Sequence, residues 1–174
     1  MASYKEIVTK TVIGKAKKTN KNNIIINPEQ MPNNVLGCWV INHTFSGVND
    51  KGLVKINGLY DVNVWYSYDS DHKTAVTTKT FNYSETINVP IKNEGEFNGD
   101  SEIIVRSLKQ PTVSDVKING SEVSLIVEKE MGVEIVGEGK IKVTIEEDED
   151  DYEEVYDDEK LDEVIEQVDT EYLN

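Results

Sequence analysis

The chain has 174 residues and a formal net charge of −15, and that charge sits at one end: residues 146–174 hold 16 of the 33 acidic side chains and one of the 18 basic ones. Residues 1–145 sum to zero, so the chain reads as a neutral body followed by an acidic tail. Val (21) and Ile (17) outnumber Leu (7) and Ala (3), which all but excludes a helical bundle, and the longest apolar run, Val35 to Ile41, is too short for a transmembrane helix.

Residues 7–18 alternate loosely and predict a first strand, followed by a polar loop over 18–23 and a short strand at Ile24–Ile26 that stops before Pro28. Val35 to Phe45 predicts a long strand, and Gly47 to Gly52 a turn. The clearest pattern is 54–68. Val54, Ile56, Tyr60, Val62, Val64, Tyr66 and Tyr68 fall on even positions, and Lys55, Asn57, Asp61, Asn63 and Ser67 on odd ones. A period of two puts these sets on opposite faces of a strand.

After a polar turn at 69–73 the chain returns over 74–89, with Phe81, Tyr83, Ile87 and Val89 on one face. Pro90 ends it, because proline cannot donate to the ladder. Residues 94–100 form a loop, 103–108 a short strand closed by Pro111, and 116–123 a hairpin in which Asn119-Gly120 suits a type I′ turn. Val123, Leu125, Val127, Met131, Val133 and Ile135 extend the alternation, Gly137 to Gly139 turns the chain, and 141–145 is a last strand. The pattern predicts an all-β body, a β-sandwich or open barrel of about 8–10 mostly antiparallel strands.

The tail lacks Gly and Pro, and its charge repulsion favours extension. Leu161, Val164, Ile165 and Val168 fall at i, i+3, i+4 and i+7, one stripe of a short helix suited to a partner's groove. Tyr152, Val155 and Tyr156 are further apolar anchors in the acidic run. The expected organisation is a self-assembly body over 1–145 and a recruitment tail over 146–174.

Chemistry is sparse. No phosphate-binding, nucleophile-elbow, zinc-protease or C-x-x-C motif is present, so no catalytic residue, cofactor or metal is expected. Cys38 and His43 lie five residues apart on one predicted strand and should point to opposite faces, against a shared metal. A pI near 4.5 opposes nucleic-acid binding, although residues 1–28 carry +5 and offer a dock for the acidic tail of a neighbouring subunit. The N-terminal MASYKEIVTK has no apolar core of a secretory signal, and one cysteine suits a reducing compartment. Trp65 falls opposite the tyrosines and is the candidate surface contact of its strand.

Three blocks, LGCWVINH (36–43), GLYDVNVWYSY (58–68) and EKEMGVEIVGEGKIKV (128–143), precede the acidic tail. Their order and spacing resemble the outer spore coat morphogenetic protein E (CotE) family of endospore-forming bacteria. The resemblance implies a non-enzymatic scaffold, made in the mother-cell cytoplasm and gathered at the forespore surface on a basement-layer coat protein. It implies a homo-oligomer whose acidic C-terminal region recruits other coat proteins. The tail here has Tyr152, Tyr156 and Tyr172 but no Trp, so client identity does not carry over. The rival reading is a non-catalytic binding module for a carbohydrate or protein, with Trp65 on an exposed face and the tail a solubiliser.

Overall fold

The structure, a computed structural model, describes residues 3–146. Contacts group Glu6–Val143 into one compact unit, which holds nearly all of the two sheets described below. The short helix expected near Leu161 lies outside the described residues.

The described chain is all-β, with six strands: β1 (Ser3–Ile26), β2 (Asn34–Asp50), β3 (Leu53–Tyr68), β4 (Lys73–Ile87), β5 (Glu102–Asn119) and β6 (Glu122–Ile145). They form two three-stranded sheets of order β1-β6-β5 and β2-β3-β4. The strands are fewer and longer than the turn signals suggested. Lys18 to Asn23 continues β1, because its polar side chains find partners on β6: Thr19 donates to Glu130, and Asn23 accepts from Ser124. Pro111 does not close β5. It sits on an edge strand, where register shifts flank it and no ladder donor is needed. Gly137 and Gly139 stay within β6, where a side chain at either would crowd Ile13.

The hairpin turns are chemically distinct. Asp50 pairs with Leu53, and the two residues between them, Lys51 and Gly52, both have positive φ (54° and 84°), as a type I′ turn requires. The β5–β6 turn is different from the expected one. Asn119 pairs with Glu122, so Gly120 and Ser121 are central, and of these only Gly120 has positive φ (61°). Glycine at the first central position is the type II′ arrangement.

The even-numbered face of β3 is the core, as its period of two predicts. Val54, Ile56, Tyr60, Val62, Val64 and Tyr66 are buried. They meet the odd-numbered face of β6, and the two central strands supply most of two apolar clusters. One joins Tyr60, Val62, Val64 and Tyr66 to Ile24, Ile26, Val123, Leu125 and Val127. The other joins Val54 and Ile56 to Ile13, Ile87, Val89, Met131, Val133 and Ile135. Burying such side chains contributes roughly 1.5–3 kcal/mol each, which accounts for the pairing of these two sheets face to face.

Two irregularities in β2 decide what faces where. Val35 pairs with Tyr66 but Gly37 with Trp65, so Leu36 is extra. Ile41 pairs with Asp61 but Thr44 with Leu59, so Asn42 and His43 stand against a single step of β3, and Asn42 takes φ 56°. The second bulge reverses the parity of the strand. Cys38 and Val40 pack on the first cluster, and beyond the bulge Phe45 packs on the second. His43 therefore lies on the same side as Cys38, contrary to the opposite faces expected from an unbroken strand.

Candidate functional site

Two features of the sandwich carry chemistry: a polar layer inside it and an aromatic patch outside it. The inner layer starts from Lys129. The inward row of β6 reads Val123, Leu125, Val127, Lys129, Met131, Val133, Ile135, and each of these is at most 1 % exposed. Lysine is the one charged member. Its Nζ donates to Glu85 Oε1 and sits 4.1 Å above the ring centre of Tyr83. Glu85 occupies the matching place on β4, between Tyr83 and Ile87 on the inward face, and its side chain is 8 % exposed.

Tyr83 is held by its neighbours. It pairs with Gly58 on β3, and its ring occupies the space a side chain there would need. Its hydroxyl lies 2.6 Å from His43 Nε2, within hydrogen-bonding distance. Tyr60 packs beside it with ring centres 6.0 Å apart. Burial, and then the negative charge of Glu85, raise the Tyr83 hydroxyl above the usual tyrosine range. Burial lowers His43 below the usual histidine range, against an opposing hydrogen bond with Gln110, and Lys129 lowers it further. Burial likewise raises the Cys38 thiol.

This layer was invisible to a reading that followed the apolar residues alone. The signal was nonetheless present: Lys129 and Glu85 each sit in phase with an otherwise apolar row. Among the described residues no group of three or more His, Cys, Asp and Glu is placed to hold a metal ion.

The outer feature lies on the exposed face of sheet β2-β3-β4. Trp65 is there, as its odd position predicted, and is 42 % exposed. Trp39 on β2 joins it at 41 %, and the two rings flank Gly37, lying 3.7 and 3.8 Å from where its Cβ would be. Asn63, the β3 partner of Trp39, is buried on this outer face and accepts from Thr78 Oγ1 at 2.5 Å. Ile41, Leu59 and Val76 add exposed apolar surface on the same face. Asp61 is the charge in its middle. Hydrogen bonds from Thr80 and then Asn42 hold that carboxylate below its usual range.

The lysines of β1 are partly engaged within the chain. Lys15 pairs with Glu134 at 3.4 Å and Lys17 with Glu130 at 3.8 Å. Such exposed pairs contribute little to stability. The tail anchors Tyr152, Val155, Tyr156, Leu161, Val164, Ile165 and Val168 lie outside the described residues. No helix among the described residues is long and apolar enough to cross a membrane.

No curated protein and no solved structure matches the chain. The family model for outer spore coat protein E (CotE) matches residues 3–174. That match, which spans nearly the whole chain, makes the protein a member of the CotE family of outer spore coat proteins.

Proposed function

We propose that the protein is a structural scaffold of the outer spore coat, in which the body over 1–145 self-associates and the acidic tail over 146–174 recruits other coat proteins. Family membership supports the setting. The observation that carries self-association is the outer face of sheet β2-β3-β4, which exposes Trp39, Ile41, Leu59, Trp65 and Val76 around a single carboxylate. A nearly uncharged apolar patch on a body of zero net charge offers no repulsion between copies. The sheet-edge strands β2, β4 and β5 add strand-pairing capacity. The tail supplies what the body lacks, a dense negative charge with spaced apolar anchors for basic partners. In this reading the chain is made in the mother-cell cytoplasm and docks on a basement-layer coat protein at the forespore surface.

Sedimentation of the full-length protein beside a truncation after Ile145 tests the division. Both should form assemblies, and only the full-length chain should capture coat proteins. A truncated body that stays folded yet runs as a monomer overturns it.

A second reading, a carbohydrate-binding module, is favoured by one observation: Trp39 and Trp65 lie side by side with Asn63, Asp61 and Thr78 as polar neighbours. Glycan binding by residues 1–145, lost in Trp65→Ala, would select it.

A further inference from the structure

We propose that Lys129 and Glu85 condense to an intramolecular amide, Nζ to Cδ, that ties the two sheets together through the core. This goes beyond the scaffold reading and does not depend on it.

Four observations converge on the pair. The Lys129 side chain is 1 % exposed and that of Glu85 8 %, so both are withdrawn from water. They come from different sheets, Lys129 from β6 and Glu85 from β4, and Nζ already contacts Oε1. Apolar clusters bound them on either side, one ending at Val127 and the other beginning at Met131. Among the described residues Glu85 Oε2 has no hydrogen-bond partner, so half of the carboxylate lacks the donors that usually stabilise a buried charge.

These conditions favour the reaction. Two charges cost several kcal/mol each to take out of water, and one contact repays little of that when an oxygen is left without a donor. From the ion pair, one proton moves from Nζ to a carboxylate oxygen of Glu85. The amine lone pair then attacks Cδ, an N–C bond forms, and the C–O bond to the protonated oxygen breaks. That hydroxyl leaves with one amine hydrogen as water. No electrons are gained or lost and no co-reactant is consumed. The product is neutral, so the cost of two buried charges disappears with it. Held in contact, the two groups react as one molecule, with the large effective concentration that implies.

The titratable groups facing the pair are His43 from β2, Tyr60 from β3 and Tyr83 from β4. All three are uncharged at neutral pH, so none supplies a rival counter-ion. The Tyr83 ring lies under Nζ and closes one approach to it.

The intact mass of the full-length protein, unfolded in denaturant, is the test. Allowing for the N-terminal methionine, the chain should be lighter than its sequence by one water. A digest should yield one branched peptide joining the segments around residues 85 and 129. The Lys129→Arg variant, which keeps the charge, should return to the full sequence mass. A folded wild-type chain at full mass overturns the proposal, and so does a lost water with both segments recovered as linear peptides. The wild-type measurement stands even if the variant fails to fold.

Discussion

Tyr83 lies on Gly58: the two pair across β3 and β4, and the tyrosine ring fills the space a β-carbon at residue 58 would take. That contact places the Tyr83 hydroxyl at His43 and its ring under Lys129, so one missing side chain positions the whole polar layer. Gly58→Ala should displace the ring and lower stability by about 1–3 kcal/mol, the usual cost of overpacking. Urea unfolding of the variant beside the wild type measures it. An unchanged midpoint would mean that the ring moves freely.

Stability should fall between about pH 7 and pH 5. The folded pKa of His43 lies below the ordinary value, so over this range the unfolded chain binds more protons. Folding therefore loses stability as the pH drops through the unfolded histidine range near 6.5. The carboxylates of Asp61 and Asp71, also held low, act only at more acidic pH. Thermal unfolding across this window should show the loss in the wild type and a flatter profile in His43→Gln.

Cys38 should react slowly. It is half-buried against the first apolar cluster, and burial raises its thiol above the usual range, so little thiolate exists at neutral pH. Alkylation by iodoacetamide at pH 7.5 should run several-fold below that of an unfolded control and match it in denaturant. Equal rates in both would place the thiol in open solvent.

Trp39→Ala and Trp65→Ala together should shrink the assembly without unfolding the chain. Each indole is partly exposed and the core clusters do not include them. Sedimentation should show a smaller species at unchanged far-ultraviolet circular dichroism. Retention of full size would move self-association to the strand edges.

Removing Lys129 should be costly whatever its bonding. Lys129→Met leaves Glu85 buried without its partner, and losing one member of a buried pair costs about 3–5 kcal/mol. The readout is the urea midpoint, and a shift below about 1 kcal/mol would contradict the burial of Glu85.

Residues 54–68 show how far local pattern reaches. Their period of two named the core face of β3 without any tertiary information, because successive side chains of a strand must alternate. The same logic located Trp65 on the outside. It missed Trp39 as its neighbour, since the pairing of β2 with β3 depends on an extra residue at Leu36 that no periodicity announces.

The placement of −15 in the last 29 residues, the β-branched composition and the alternation of β3 and β6 are properties of the chain itself. They determine an all-β body and an acidic tail, because strand propensity and charge repulsion act locally. The tertiary structure decided the rest. Pairing with β6 kept Lys18 to Asn23 extended, an edge position absorbed Pro111, and the bulge at Asn42 turned His43 inward. It also brought Lys129 to Glu85, 44 residues away in the chain. A contact between an inward side chain of β6 and one of β4 exists only once the two sheets close on each other, because no backbone ladder joins those strands.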